Sequence, residues 1–446
     1  MASTREKPFG REAYYNSIKH DYFVKDSRGG WISVNESSLK RMLLQDGLSK
    51  GVAKGGGISA IDCRLNEIQL SFNVKYAGPL AGYDKGFYDF PDARVLVTES
   101  PQIIESKAGG GSPLLDGILL GLLGEIQIRY FLAWLHFGRR ALLARTLFPG
   151  HAMAIAGPRN SGKSLIQKVI THCLGGRQSK PYLFMSGQTS FNSHMFIAEH
   201  LVIEDENPAS DYKSRRTLGA MIKMVSVNED QNCHEKGFAS IMLRPFWRLS
   251  ITVNDEPENL MVLPIVDESL EDKIMLLKAS KHQMPMPTRT PEQRKVFWAA
   301  LEAEIPYFLH KVENLTVTED IADDRMGVSF YHHPELLAKI ADLSPEAKLL
   351  SIIDNHLLSG GTQWTGKAVD LEKALMDSSC TYSYEARKLF SFNTACGTYL
   401  GRLRQRYPER FEYKQVGDER ERVWTIRPKK QQIIDSFKSF EGDEEF

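Results

Sequence analysis

Apolar residues in this chain follow distinct periods in different regions. Between Ala152 and about Ser280, short apolar runs (Ala152–Ala156, Leu201–Ile203, Leu249–Val253) alternate with amphipathic stretches. That is the pattern of parallel strands joined by helices, an α/β domain with a parallel sheet. Upstream, Leu114, Leu115, Ile118, Leu119, Leu122 and Leu123, then Phe131, Leu132, Leu135 and Leu142, recur at helical spacing and predict a helical collar over 111–150. Residues 1–110 predict a small α+β accessory domain. It has a strand at Trp31–Val34 after Arg28-Gly29-Gly30, a helix over Ser37–Leu44, a glycine-rich loop over Gly51–Gly57 and a strand at Arg94–Thr98.

Downstream, the stretch Lys281–Pro291, with Pro285, Pro287 and Pro291, leads into a helical connector over 286–343. Residues 344–430 predict two helices, a third over Tyr384–Tyr407 broken near Phe392-Asn393, and two strands, Phe411–Lys414 and Arg422–Arg427, flanking a turn at Gly417-Asp418. Residues 431–446 form an acidic tail.

Composition narrows the classes. A length of 446 residues predicts two to four domains, and 42% hydrophobic with 25% charged residues is ordinary for a globular chain. Fifty-six basic residues balance fifty-six acidic ones, which excludes a uniformly basic nucleic-acid coat but not a local basic patch. The greasiest stretch, Pro113–Phe148, is interrupted by Asp116, Glu125, Arg129, Arg139, Arg140 and Arg145, so no membrane span is expected. The N-terminus lacks the apolar core of a signal peptide. Cys63, Cys173, Cys233, Cys380 and Cys396 are scattered without a C-x-x-C pair, which points to a reducing, cytoplasmic setting rather than a disulfide or zinc framework.

The sharpest motif is Gly157-Pro158-Arg159-Asn160-Ser161-Gly162-Lys163-Ser164, a complete G-x-x-x-x-G-K-[ST] followed by Leu165. It follows the strand Ala152–Ala156 and opens a helix, Ser164–Leu174, closed by Gly175-Gly176. In that context backbone N–H groups and the helix dipole converge on phosphate oxygens, Lys163 carries charge to the β/γ-phosphates, and the Ser164 hydroxyl completes a magnesium shell. The expected cofactors are ATP and Mg2+. About forty residues on, Leu201–Ile203 ends in Glu204-Asp205-Glu206, carboxylates placed to hold metal-bound water and polarise an attacking one. The strand Leu249–Val253 ends at Asn254, whose amide can sense a γ-phosphate.

A phosphate loop, a Glu-Asp strand, a hairpin and a strand ending in Asn, in that order, resemble the superfamily 3 helicases, a branch of the AAA+ ATPases. Ile203–Glu206, Asn232–Lys236, Pro245–Leu249, Val253–Asn259 and Asp267–Ile274 are most similar to the helicase module of phage and plasmid primase-helicases. The resemblance implies a P-loop AAA+ core over 151–285, with Glu204 and Asp205 as the catalytic and metal-binding pair. It also implies a hairpin over Val225–Leu243, with Asn228–Gly237 as its loop, presenting His234, Lys236 and Phe238 to nucleic acid in the pore of a hexamer. Where the family carries a trans-acting arginine this chain has Lys273, with Arg215, Arg216, Arg244 and Arg248 as possible substitutes. No Asp-x-Asp occurs anywhere, so a primase centre is not expected.

Residues 344–430 fit a winged helix. From Glu385 to Lys430 twelve basic residues face six acidic ones, and Arg402, Arg404 and Arg406 fall where a helix-turn-helix relative meets DNA. The resulting expectation is an ATP-driven DNA helicase or translocase that acts as a hexameric ring on single-stranded or forked DNA, in replication of a phage, plasmid or other mobile element. The rival is an AAA+ initiator or defence ATPase that uses ATP for assembly. A nucleotide kinase would leave the hairpin, Asn254 and the basic C-terminal segment without a role.

Overall fold

Five parallel strands form the central sheet of the larger unit, in the order Ile274–Lys278, Ala152–Gly157, Arg248–Asn254, His200–Glu204, Gln178–Ser179. The computed structural model describes residues 11–52, 56–204, 212–227, 229–390, 392–416 and 421–429. The chain separates into two units, one ending at Leu337 and the other beginning at Ala338. All six residues of Ala152–Gly157 are buried, which explains why this strand reads as an unbroken apolar run rather than an alternation. Its last residue must be glycine: a Cβ on Gly157 would lie 2.4 Å from the carbonyl oxygen of Ala279.

The helix Lys163–Cys173 covers one face of the sheet together with Pro113–Leu143 and Pro291–Glu313. Leu119, Leu123, Phe131, Leu135, Ile166, Ile170, Leu301, Ile305 and Phe308 share one core. Helix Pro291–Glu313, expected within a connector, is thus part of the body that supports the phosphate-loop helix. Buried Arg139 ties the three together, donating from Nε to Glu313 (2.9 Å) and from Nη1 to the carbonyl of Cys173 (3.1 Å). The Glu304 carboxylate accepts from the backbone N–H groups of Leu114 and Leu115 (3.1 and 2.9 Å) and so caps the helix that begins at Pro113.

Helix Pro113–Leu143 is broken at Gly124, which sits at φ 69°, ψ 172°. By length and composition alone it could cross a membrane, although no span was expected; 56% of its most apolar window is buried inside the protein. Just past the break, the Gln127 side chain pairs with the edge strand as a peptide would. Its Oε1 accepts from Lys278 N (2.7 Å) and its Nε2 donates to Lys278 O (3.0 Å). Further along that edge, Leu276 N donates to Tyr331 O and His333 N donates to Leu276 O, at 2.7 and 2.8 Å.

The N-terminal region holds a four-stranded sheet, ordered Trp31–Val34, Asp21–Lys25, Ala13–Asn16, Asn73–Val74, and a three-stranded one that includes Ala93–Val97. The strand at Trp31–Val34 and the helix Glu36–Gln45 lie where the pattern places them. Helix Ala60–Ser71 was not anticipated. Its start was nonetheless written in the sequence: Ser59 Oγ accepts from Asp62 N at 3.1 Å, a three-residue capping interval.

The second unit runs helix Pro345–Ile352, strand Trp364–Lys367, helices Ala368–Met376, Ser383–Leu389 and Ala395–Arg406, then strands Phe411–Val416 and Glu421–Ile426. The expected third helix is two, parted where the break near Phe392-Asn393 was expected. The strand Trp364–Lys367 is an addition; it pairs with Glu421–Ile426 to make a three-stranded antiparallel sheet. The turn at Gly417-Asp418 and the acidic tail lie outside the described residues.

Leu301, fully buried between the two long helices, gives a direct test of this packing. Leu301→Ala should lower unfolding stability by about 2–5 kcal/mol, as expected for a truncated core leucine, measured by chemical denaturation.

Candidate phosphate-binding site

Gly157 and Asn254 are register partners on adjacent parallel strands, and Glu204 closes the next strand, paired with Thr252. Parallel pairing therefore delivers the loop, an amide and a carboxylate to one end of the sheet, the end at which ligands bind in open α/β folds. The loop turns through Asn160 at φ 60° and Gly162 at φ 104°, left-handed positions that these two residue types tolerate. Lys163, 8% exposed, folds back into the loop. Its Nζ donates to the carbonyls of Gly157 (2.8 Å) and Pro158 (2.7 Å) and to Asn254 Oδ1 (3.2 Å).

The helix that follows begins without a side-chain cap: its N-cap is Gly162, and its first turn holds no acidic residue. Its leading N–H groups are thus left for an outside acceptor. Ser161 is buried, Pro158 and Leu165 are half-buried, and Arg159, Asn160 and Ser164 are exposed around the opening. Arg159 lies 3.5 Å from Glu256. These features fit the phosphate of a nucleotide, with the exposed Ser164 beside it.

Glu204 is about one-quarter exposed and its Oε1 lies 3.1 Å from Lys180 Nζ, a pairing the sequence did not suggest. Asp205 and Glu206 lie outside the described residues.

Beneath the loop runs a buried polar network that sequence reasoning missed. Gln167, on the phosphate-loop helix, donates through Nε2 to Ile203 O (3.2 Å) and Ser250 Oγ (3.0 Å) and accepts at Oε1 from Thr252 Oγ1 (2.9 Å). One turn on, Thr171 Oγ1 meets His200 Nδ1 at 2.7 Å, while His200 Nε2 meets Ser250 Oγ at 2.8 Å. The available signal was the alternation in Leu249-Ser-Ile-Thr-Val253, which puts two hydroxyls on one face of a strand otherwise apolar.

The hairpin differs from expectation. Helix Tyr212–Val227 runs through the segment assigned to its first arm, because Leu218, Ile222 and Val225 are buried at helical spacing. The hairpin itself pairs Gln231–Cys233 with Ile241–Leu243. His234, Lys236 and Phe238 all lie in the connecting loop, with Lys236 exposed. The loop is anchored at both ends of that triplet. His234 N donates to Asn192 Oδ1 (2.7 Å), while Lys19 pairs with Glu235 (2.7 Å) and lies 5.6 Å from the Phe238 ring centre.

The residues considered for a trans-acting cation are mostly turned inward. Lys273 is 8% exposed and paired with its neighbour Asp272. Arg248 is buried and donates to the carbonyls of Phe148 and Trp247, each at 3.0 Å, and burial lowers its pKa to about 9. Arg215 is buried and donates to Leu263 O at 2.9 Å. Arg244 forms a two-pronged pair with Asp230 (2.8 and 2.6 Å). Arg216 is exposed. In the second unit Arg402 is tied to Glu346, whereas Arg404 and Arg406 lie beside Tyr413 and Tyr407.

Residues 155–269, spanning the loop, Glu204 and Asn254, match the model of a family of unknown function, DUF5906. The apo structure of the NrS-1 C-terminal region, residues 305–718, is similar over 94% of this chain and 96% of that one, with 12% identity and a TM-score of 0.53. A second, A-form apo structure of the same region gives 0.52 at 12% identity, over 94% and 97%. This chain therefore shares the fold of the NrS-1 region along nearly its whole length. A JCV helicase structure matches 56% of this chain and 66% of that one, with 13% identity and a TM-score of only 0.29. No curated protein matches the sequence.

Burial lowers the His200 pKa to about 3, below the ordinary value near 6.5. As pH falls below about 6.5 the unfolded chain takes up a proton that the folded chain refuses, so stability is fully present above that pH and is lost toward pH 3. His200→Gln should remove this dependence. The stability difference between wild type and variant should shift against wild type by about 1.4 kcal/mol per pH unit between pH 6 and pH 4, measured by urea denaturation across that range.

Proposed function

We propose that this protein is an ATP-dependent DNA helicase or translocase of the superfamily 3 type, acting as a hexameric ring and lacking primase activity. The observation that carries the reading is the loop itself: an uncapped helix start and a lysine that already reaches the strand-end amide of Asn254. ATP would lie across the loop, with Lys163 leaving its carbonyl partners for the β/γ-phosphates and the backbone N–H groups of Gly162 to Leu165 taking phosphate oxygens. Bound magnesium would screen the phosphate charge, held through Ser164 and the Asp205 that the sequence assigns to it. Asn254 would hold the attacking water, and Glu204 would take its proton. For the trans-acting cation, buried and self-paired Lys273 would have to be released by assembly, whereas exposed Arg216 would not.

In the second unit, the order helix, strand, helix, helix, helix and hairpin supports a winged-helix reading, with DNA met by the basic end of Ala395–Arg406. The hairpin loop at Lys236 would touch the strand within the ring.

Two substitutions separate binding from hydrolysis. Lys163→Ala should abolish ATP binding and reduce hydrolysis by about a hundredfold or more, the scale of removing one preorganised charge-stabilising donor. Asn254→Ala should keep nucleotide binding and lose turnover. Full hydrolysis and strand displacement by Lys163→Ala would sink the proposal, and ATP-driven assembly with no displacement of any forked DNA would favour the initiator reading.

A further inference from the structure

Strand pairing in the second unit sets Tyr413 opposite Trp424, with Arg422 two residues before it on the same strand. Phe411, Trp424 and Ile426 form the buried face of this hairpin. Tyr413 and Arg422 continue that face outward, as diagonal neighbours do in an antiparallel pair. The last turn of Ala395–Arg406 reaches the same ring from the helix side. The result is one tyrosine with two guanidinium groups set against it: Arg404 lies 4.6 Å and Arg422 4.9 Å from the ring centre. The ring also packs on buried Trp424, at 5.1 Å between centres.

Two carboxylates of the same sheet are already engaged. Glu412 pairs with Arg427 at 2.7 Å and Glu421 with Lys367 at 2.5 Å. Among the described residues, neither Arg404 nor Arg422 forms an ion pair with a carboxylate, and both are exposed. Two like charges held at one ring repel each other, and the ring's negative faces offset only part of that cost. Lys414, one residue on, faces the other side of the hairpin and Arg406 lies beside Tyr407, so the positive charge at this ring is that of Arg404 and Arg422. Two exposed guanidinium groups held at one ring suit a polyanion, whose successive charges can meet both at once.

We propose that Arg404, Tyr413 and Arg422 form a preorganised clamp for the phosphodiester backbone of DNA, with Tyr413 fixing the guanidinium groups in place. Arg402, whose charge is spent on Glu346, lies outside the clamp. The inference deepens the DNA-binding part of the proposed function but does not depend on the phosphate loop.

The test is fluorescence anisotropy of the full chain with labelled DNA, without nucleotide, across a salt series. Arg404→Ala and Arg422→Ala should each lower the magnitude of the slope of log affinity against log salt by about one, the signature of one lost phosphate contact. Together they should weaken binding by about tenfold or more. Tyr413→Leu keeps both charges and should weaken binding with the slope largely retained. Arg427→Ala, which removes a charge already paired on the same sheet, should change affinity less than twofold. Arg404→Lys with Arg422→Lys guards against misfolding: it keeps the charge, loses the planar contact with the ring, and should fall between wild type and the double alanine.

The clamp is overturned if the double alanine binds within twofold of wild type, if Arg427→Ala weakens binding as much as Arg404→Ala, or if polyglutamate competes as well as unlabelled DNA. Wild type that binds no DNA would overturn the clamp and the helicase reading together. Hydrolysis surviving in Lys163→Ala would overturn only the ATP site.

Discussion

The site depends on a single buried amide. Gln167 spans from the phosphate-loop helix to two neighbouring strands, meeting Ile203, Ser250 and Thr252 at once. Ile203 precedes Glu204, and Thr252 lies two residues before Asn254, so this one side chain sets the helix carrying Lys163 against both strand ends. A buried polar group left unsatisfied costs about 1–3 kcal/mol, so the three elements are constrained to move together or not at all. His200 and Thr171 extend the same network one turn further, where burial keeps the imidazole neutral.

Lys163 shows what that constraint prepares. Its ammonium group is held by two carbonyls and an amide oxygen. A phosphate oxygen would offer a stronger, charge-assisted bond than any of these three. Because Asn254 is among these partners, its amide would be freed if the lysine turned to a phosphate. In the proposed reading, site occupancy and the freeing of the strand-end amide would thereby be linked by competition for one ammonium group.

The phosphate loop, the central strands and the helix break near Phe392 were legible in the sequence because each depends on local chemistry. Glycine is required where Ala279 presses on Gly157, and an apolar run is required where both faces of a strand are covered. Partners far apart in sequence left little trace. Nothing local announces that Arg248 turns inward to the carbonyls of Phe148 and Trp247, that Asp272 takes up Lys273, or that Lys19 meets Glu235 more than two hundred positions away. Charged residues chosen by their place in a motif order therefore divided into exposed and buried ones only in three dimensions. The arginines of the second unit divided in the same way, Arg402 to a carboxylate and Arg404 to a ring.

Gln127 carries a consequence for how copies of this chain can meet. A parallel sheet ends in a row of unused peptide groups, an open invitation to further strands. At the outer strand Ile274–Lys278 the invitation is withdrawn: a side-chain amide imitates a peptide opposite Lys278, and Tyr331 and His333 occupy Leu276. With its hydrogen bonds consumed internally, that border cannot be extended by another backbone, and a neighbouring copy arriving there meets side chains only.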